Sequence, residues 1–425
     1  LKAAGANIVE FDEKADIYIV NTCSVTNIAD KKSRQMLHRA RKMNPDGIVI
    51  AAGCYVQSAR EILEQDEAID IVISNNKKKS ITEIVNDYIN VRNNEKNAPG
   101  KDHEAMEYFV DISRETEYEE MGGHVPVGHT RAYVKIQDGC NQFCSYCIIP
   151  YVRGRIRSRS QEAILAEVSE LAEAGIKEVV LTGIHISSYG KDKNNEGALI
   201  ELIEAISKIK GIKRIRLGSL EPGIITEEFV ERISSNSKVC PHFHLSLQSG
   251  CDSVLKRMNR KYTCKQYFEK CDMLRKAYKS PALTTDVIVG FPGETEEEFA
   301  ETVRYLTELN LYEMHIFKYS PRKGTVAAAM KEQVAPEIKN ERSDVLLKLA
   351  HDNKTAYEAQ FEGCELEVLV EEVVKKDNKT YLRGHTERYM DILIDVGDIS
   401  MPESFVNSFV YVTYTQNGGN LPLLL

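Results

Sequence analysis

Three cysteines stand close together in the segment GCNQFCSYCIIPYVRGRIRSR, residues 139–159. Cys140, Cys144 and Cys147 have the spacing C-x3-C-x2-C, and thiolates this close in one loop are typical ligands of a metal centre. A structural zinc ion needs four protein ligands, and the nearest histidine, His129, lies eleven residues before Cys140. An iron–sulfur cluster tolerates three thiolates when its fourth iron binds an outside ligand. The spacing therefore predicts a cluster with one open iron; a zinc site or three buried cysteines are the alternatives.

A second pair of cysteines follows two apolar runs near the start of the chain. Cys23 ends YIVNTC and Cys54 ends IVIAAGC, and such β-branched runs are typical of parallel strands buried on both faces. The two thiols are therefore expected at one sheet edge, where open α/β sheets bind ligands. Two thiolates cannot complete a cluster, so a third ligand is needed; two separate buried cysteines are the alternative. The other five have no ligand spacing and are predicted to be buried structural thiols: Cys240, Cys251, Cys264, Cys271 and Cys364.

Basic residues cluster beside both cysteine sets, although the chain as a whole carries a net charge of −9. A charge run is ordinarily a solvated face, but two basic patches next to predicted metal loops in an acidic chain favour phosphate contacts. The first patch lies in KKSRQMLHRARK and the second follows the cysteine loop. Their members are Lys31, Lys32, Arg34, Arg39, Arg41 and Lys42, and Arg153, Arg155, Arg157 and Arg159.

The elements that must position these residues form three predicted domains of an α/β protein. Residues 1–92 alternate strands with helices, as in NIADKKSRQMLHRARKMN, which predicts a parallel sheet; a short strand is also expected at NIVEF, and 93–129 is a polar linker. Residues 130–355 contain six strand–helix steps, which predict a partial (β/α)6 barrel with polar residues at the strand ends. Residues 358–425 hold short alternating strands, typical of a small antiparallel β-barrel or sandwich.

Composition is that of an ordinary globular protein, with 42% hydrophobic and 28% charged residues among 425. No apolar run approaches the roughly 20 residues that cross a bilayer, and no charged-then-apolar leader opens the chain. The expected location is the cytoplasm, where cysteines serve metal or redox chemistry more often than disulfides.

The cysteine loop on the first strand of a six-step barrel resembles the radical S-adenosylmethionine superfamily. The whole chain resembles one branch, the methylthiotransferases, which have an N-terminal domain with three cysteines, a radical barrel and a C-terminal TRAM domain. The motifs are NTCSVTN, AAGCYVQ, QDGCNQFCSYCIIPYVRGR, LSLQSGCDSVLKRMNR and DVIVGFPGET. Within the family, NTCSVTNIADKKSRQ and CSYCIIPYVRGRIRSR are most similar to the branch that acts on N6-threonylcarbamoyladenosine at tRNA position 37.

The resemblance implies two [4Fe–4S] clusters, one on the barrel loop and an auxiliary one at Cys23 and Cys54. It implies that S-adenosylmethionine binds the open iron and that Tyr146 packs on its adenine. Strand-end residues would hold the rest of the cofactor, each with the alternative of a turn or cap residue: Gly183, Glu221, Ser246, Gln248 and Asp286. His242 and His244 are predicted to be packing or rim residues. In the TRAM-like domain, YLRGHTERY offers Arg383, His385 and Arg388 to RNA.

The reaction that the resemblance implies is methylthiolation of C2 of the modified adenosine, in the anticodon stem-loop of tRNA. A reducing protein such as flavodoxin or ferredoxin would supply electrons. Sister enzymes that act on isopentenyladenosine-37 or on a ribosomal-protein aspartate are the nearest alternatives. A non-catalytic zinc protein that binds RNA is an alternative of another class.

The sequence departs from the family at its start. Members open with a strand that ends in Gly-Cys-x-x-Asn and supplies the third auxiliary ligand, and nothing before Cys23 provides one here. A doubly wound sheet that lost this strand between NIVEF and DIYIV would leave backbone groups unpaired. The expectation is therefore an N-terminally truncated record of a longer chain, with a natural variant as the alternative.

Overall fold

The computed structural model describes residues 1, 4–24, 26–94, 108–122, 129–377, 379–397, 401–416 and 418–420. These form two compact units: an N-terminal unit of residues 1–121, 138–157 and 320–329, and a larger unit of residues 122–137, 158–319 and 330–425. Three domains and a linker remain a prediction, and residues 95–107 and 123–128 of that linker lie outside the described residues. Among the described helices, none has the length and apolar character that crossing a membrane requires.

The N-terminal unit is built on a parallel sheet of order β1-β2-β3. Its strands are β1 (Ile17–Thr22), β2 (Ile48–Gly53) and β3 (Ile71–Ile73). Every residue of β2 is buried, because apolar side chains cover both faces of this central strand, as its unbroken apolar run predicts. The expected strand at NIVEF is wrong: residues 7–11 form none, and Ile8 and Val9 are exposed rather than held in a sheet.

Five α-helices of the described residues accompany this sheet. They are α1 (Asn27–Met43), α2 (Cys54–Ser58), α3 (Arg60–Glu64), α4 (Ile81–Asn94) and α5 (Ile149–Val152). The predicted basic helix is confirmed as α1, which begins where the Thr26 side chain accepts a hydrogen bond from the Ala29 amide. Its apolar face buries Leu37 and Ala40 in the same core as Val49 of β2. The opposite face is left to the basic residues.

The larger unit contains six parallel strands, which confirm the predicted partial barrel. Together with the short β5, they form two sheets, of order β5-β4-β6-β7 and β10-β9-β8. A parallel bridge between Leu220 and Leu245 connects the first sheet to the second. The bounds are β4 (Arg131–Asp138), the short β5 (Arg157–Ser158), β6 (Glu178–Gly183), β7 (Arg214–Leu217), β8 (His242–His244), β9 (Ala282–Val289) and β10 (Glu313–Lys318). The helices are α6 (Gln161–Glu173), α7 (Ala198–Ser207), α8 (Glu227–Ser234), α9 (Asp252–Arg257), α10 (Cys264–Ala277), α11 (Glu296–Leu309) and α12 (Pro336–Ala359).

The end of the chain is a closed five-stranded barrel within the larger unit, of order β11-β12-β13-β15-β14. Its strands are β11 (Glu365–Lys376), β12 (Lys379–Thr386), β13 (Asp391–Asp395), β14 (Phe409–Thr415) and β15 (Gly418–Asn420). The first four match the predicted strands, and β15 closes the barrel by pairing in parallel with β13. Arg216 of β7 reaches the barrel and donates to the carbonyls of Thr386 and Glu387.

Candidate metal and cofactor site

The loop with Cys140, Cys144 and Cys147 is closed at its base by a contact that only glycine permits. Gly139 has a φ of +73°, and a Cβ there would lie 1.7 Å from the carbonyl oxygen of Arg155. The Cys140 amide donates to the Gly154 carbonyl at 3.0 Å, so the two ends of the segment are tied together. These contacts fix where the three thiols project.

The thiols are shielded from solvent to different degrees. Cys140 and Cys144 are each 9% exposed, whereas Cys147 is half-buried, as is Tyr146 before it. None of the ten cysteines, all of which are described, is in a disulfide. Three thiols in a largely buried loop, not consumed by disulfides, fit the donor chemistry of an iron–sulfur cluster.

Cys23 and Cys54 follow paired positions of neighbouring strands. Thr22 of β1 lies in register with Gly53 of β2, so the two cysteines are the next residues at the same sheet edge, as predicted. A Cβ on Gly53 would lie 2.4 Å from the Thr22 carbonyl oxygen, so the two strand ends approach closely. Cys54 is buried at the start of α2 and Cys23 is exposed.

Cys54 packs against the segment that follows the other cysteine loop. It shares a small apolar cluster with Ile148 and Val152 of the α5 region. The Nε of Arg153 donates to the Cys54 sulfur at 3.0 Å, and the Asn75 side chain donates to the Val152 carbonyl at 2.7 Å. Both cysteine sets thus belong to the N-terminal unit, and the chain just after Cys147 touches Cys54.

Arg153 is the charged group of this contact. Burial lowers its pKa, but the Asp138 carboxylate, 3.4 Å away, and the Cys54 thiol more than offset burial, and the pKa of Arg153 lies above its ordinary value. Arg153 thus places a cationic hydrogen-bond donor 3.0 Å from the Cys54 sulfur. The surroundings of Cys54 therefore fit a metal-bound thiolate.

The arginines after the cysteine loop do not form the predicted basic patch. Arg157 is 1% exposed and contacts Asp138, and the buried Arg159 pairs with Glu167. Arg155 is exposed and lies over the Phe143 ring. The charges of Arg157 and Arg159 are thus taken up by carboxylates inside the protein, and Arg153 faces Cys54. A phosphate role for these arginines stays a prediction.

The other predicted RNA contacts are placed unevenly. Lys31, Lys32 and Arg34 are exposed on α1. Arg383 is half-buried and paired with Asp391 and Glu372. Of the remaining candidates, Arg39 pairs with Asp12, Arg41 with Asp70, His385 with Glu371, and Arg388 donates to the Ser280 carbonyl.

Predicted cofactor residues of the larger unit lie at or near the carboxyl ends of its strands. Glu221 follows β7 and is held by His185 at 3.1 Å and Arg260 at 3.0 Å. Burial raises its pKa, but the His185 hydrogen bond and the Arg260 charge prevail, so the pKa of Glu221 lies below its usual range. Sequence reasoning missed His185 and Arg260, although Arg260 is the last residue of the motif LSLQSGCDSVLKRMNR.

The other predicted cofactor residues make contacts with neighbouring strands of the sheet. Ser246 contacts the Ser219 hydroxyl at 2.7 Å. Gln248 has a φ of +76° and its amide donates to the Asp286 carbonyl at 2.8 Å. Gly183 ends β6 in register with Gln137. The Asp286 carboxylate lies 3.3 Å from the His244 ring.

The remaining cysteines match their prediction in part. Cys240, Cys251 and Cys271 are buried, and burial raises the pKa of Cys240 and of Cys271 to about 12. Thiols of this kind stay protonated and inert. Cys264 is half-buried, and Cys364 is exposed, so burial is wrong for Cys364.

Comparison with known proteins agrees with this geometry. The radical SAM superfamily model matches residues 134–306, and the model of the uncharacterised family UPF0004 matches residues 1–74. A solved structure of the radical S-adenosylmethionine methyltransferase TsrM from Kitasatospora setae, with cobalamin and a [4Fe–4S] cluster bound, has a TM-score of 0.54 at 16% identity, covering 73% of this chain and 66% of that one. That likeness shows the fold.

Curated relatives extend over most of the chain. Threonylcarbamoyladenosine tRNA methylthiotransferase MtaB of Bacillus subtilis (strain 168) is 39% identical over 92% of this chain and 85% of the relative. A tRNA-2-methylthio-N(6)-dimethylallyladenosine synthase of Thermoanaerobacter pseudethanolicus is 36% identical over 98% of this chain and 86% of the relative. By this similarity the chain belongs to the radical S-adenosylmethionine methylthiotransferase family, as an enzyme of the MtaB type.

Proposed function

We propose that this enzyme adds a methylthio group to C2 of N6-threonylcarbamoyladenosine at position 37 of tRNA, with S-adenosylmethionine and two [4Fe–4S] clusters. Membership of the radical S-adenosylmethionine family implies that S-adenosylmethionine and one [4Fe–4S] cluster bind. The second cluster is supported by one observation above all: Cys54 packs against the segment after Cys147 and accepts a hydrogen bond from Arg153. Two sets of thiols in one unit fit a reaction that needs both a radical and a sulfur source.

In this proposal Cys140, Cys144 and Cys147 hold the first cluster, and Cys23 and Cys54 contribute to the auxiliary one. When bound, these groups supply one-electron reduction of S-adenosylmethionine, which gives access to an unreactive aromatic C–H bond, and the sulfur that is transferred. The chain's own contribution is to fix the loop through Gly139 and to compensate the Cys54 thiolate through Arg153. The cofactor would be held by Tyr146, Gly183, Glu221, Ser246 and Gln248, whereas the predicted contact from Asp286 is left out because its carboxylate faces His244.

The substrate assignment is tested by mass spectrometry of tRNA nucleosides. A strain without the gene should lack 2-methylthio-N6-threonylcarbamoyladenosine, and the full-length wild-type gene should restore it. Cys144→Ala should not restore it, whereas the exposed Cys364→Ala, in the C-terminal barrel region, should. Persistence of the nucleoside in the deleted strain, with no second copy of the gene, contradicts the assignment.

The two-cluster proposal has its own measurement. The reconstituted full-length protein should contain about eight iron and eight sulfide ions, and Cys54→Ala about four of each. Because the first cluster stays intact in that variant, it should still cleave S-adenosylmethionine to deoxyadenosine while losing methylthiolation. Zinc without sulfide in the wild-type protein would instead support the non-catalytic alternative.

One relative favours a second candidate substrate. The dimethylallyladenosine synthase is 36% identical over 98% of this chain, so the same reaction on isopentenyladenosine-37 is the alternative. The deletion strain separates the two, because only the methylthio nucleoside made by this enzyme disappears. We further propose that flavodoxin or ferredoxin provides the electrons.

A further inference from the structure

Three side chains of types that can bind a metal ion lie close together on neighbouring strands of the larger unit. They are His244 of β8, Asp286 of β9 and His315 of β10, and one ligand atom from each lies within 4.8 Å of the other two. The proposed reaction assigns nothing to the two histidines. Asp286 is predicted from the sequence to contact the cofactor, but its carboxylate faces His244.

Strand register brings the three together. His315 lies beside Asp286 on the next strand, and His244 lies beside Thr284, one pleat earlier on β9. Residues two apart on a strand face the same side, so Thr284 and Asp286 share a face, opposite to Leu283 and Val287 in the apolar core. The cluster thus occupies the face of the sheet that is turned away from the helices.

In one of its two tautomers, His244 leaves a ring-nitrogen lone pair for a cation. The His244 Nδ1 lies 3.0 Å from the Thr284 hydroxyl, and its Nε2 lies 3.3 Å from the Asp286 carboxylate. With the Nδ1 proton donated to Thr284, Nε2 and the carboxylate both turn lone pairs toward one point. A second hydrogen bond that fixes the tautomer in this way is the usual support of a metal-binding histidine.

We propose that His244, Asp286 and His315 form a binding site for a divalent transition-metal ion of the Zn²⁺ class. Two imidazoles and one carboxylate are a common ligand set for such ions. Ligands about 2.0–2.1 Å from a tetrahedral zinc lie about 3.4 Å apart, close to the His244–Asp286 separation. His315 is exposed and stacks on the His244 ring at 5.7 Å, so its side chain can rotate to complete the set.

Three protein ligands leave a coordination position open. Asp286 keeps 29% of its side-chain surface exposed and His315 is more exposed, so water or an oxygen of a bound molecule can reach that position. The site therefore has the form of an exchangeable metal centre rather than a closed structural one. It stands independently of which nucleoside the enzyme modifies.

The test is zinc binding to the cluster-loaded full-length enzyme. After anaerobic equilibrium dialysis against micromolar Zn²⁺, elemental analysis should find one more zinc per chain in the wild type than in His315→Ala. All cysteines are kept in both proteins, so zinc bound by thiols cancels in the difference. His351→Ala, which removes an exposed histidine of α12, is the matched control and should bind as the wild type does.

A second measurement guards against misfolding. Zn²⁺ should raise the midpoint of thermal unfolding in the wild type and in His351→Ala but not in His315→Ala, whose midpoint without zinc should be unchanged. Equal zinc content in the wild type and His315→Ala overturns the proposal. A third variant, His244→Ala, covers the remaining outcome. If His244→Ala and His315→Ala both keep the zinc content of the wild type and only His244→Ala is destabilised, the cluster is a His244–Asp286 ion pair and not a metal site.

Discussion

The charged contact between Glu178 and Arg216 offers the sharpest test of how the strand layer is held to the C-terminal barrel. Glu178 is 1% and Arg216 4% exposed, and the carboxylate accepts from Nε at 2.8 Å and from Nη2 at 3.3 Å. Arg214 lies 3.7 Å from the same carboxylate. Because Arg216 also donates to two carbonyls of the barrel, the carboxylate orients the side chain that links the two parts.

Glu178→Gln keeps the shape of the side chain and removes its charge. Breaking a buried pair by removing one partner costs about 3–5 kcal/mol, because the other charge stays buried without compensation. At about 1.4 kcal/mol per factor of ten, the ratio of folded to unfolded protein should fall roughly a hundredfold to a few thousandfold. The exposed Glu173→Gln, at the end of α6, should change the free energy of unfolding by less than about 0.5 kcal/mol.

Urea unfolding followed by far-UV circular dichroism measures this, since the chain has no tryptophan to report by fluorescence. Proteins of this size often unfold in several steps, so the transition that changes must be identified first, by proteolysis of the C-terminal barrel. The double variant Glu178→Met/Arg216→Met should recover much of the loss, because it removes both charges of the pair while Arg214 keeps its ion pair with Glu367. A Glu178→Gln protein within about 1 kcal/mol of the wild type would refute the reasoning.

Acid should weaken the same contact. Burial alone would raise the pKa of Glu178, but Arg216 and Arg214 outweigh burial and hold that pKa below its usual range. The carboxylate therefore stabilises the fold fully above the unfolded-state pKa of about 4.3, and this stabilisation is lost as pH falls through the lower folded-state pKa. Glu178→Gln should flatten the dependence of the urea midpoint on pH below about 4.3. Gly139→Ala should lower iron content, since its Cβ would collide with Arg155, whereas Gly122→Ala, also at positive φ but with open space around it, should not. Arg153→Gln should reduce the iron retained by the auxiliary site, as the guanidinium beside Cys54 is lost, while Arg155→Gln should retain it. Lys31→Glu/Lys32→Glu should weaken tRNA binding in a filter assay and make its salt dependence shallower, and the exposed pair Lys208→Glu/Lys210→Glu should not.

Features set by short stretches of chain could be predicted from the sequence. The apolar runs before Cys23 and Cys54 predict strands, and the parallel order of β1 and β2 then places both cysteines at one edge. The three cysteines of the barrel loop are defined by spacing alone. In each case a local pattern, or one crossover rule, contains the needed information.

Features that depend on distant partners could not be predicted. Arg157 and Arg159 look like an exposed run, but their partners Asp138 and Glu167 come from other elements, and only the fold shows that both are buried. NIVEF has strand-like composition, yet it gains no sheet neighbour. The convergence of His244 and His315 likewise rests on strand register, which no single motif encodes.

The burial of these arginines changes how an acidic enzyme can attract an acidic substrate. A guanidinium paired with a buried carboxylate contributes no net charge at the surface, so such pairs add little to the attraction for phosphate. Of the two predicted basic clusters, Lys31, Lys32, Arg34 and Lys42 on α1 and Arg155 beside the cysteine loop remain exposed and can still attract phosphate. Few phosphate contacts mean a shallow dependence of affinity on salt. We therefore expect the salt dependence of tRNA binding to be shallow, with selectivity resting on the shape of the RNA more than on general electrostatic attraction.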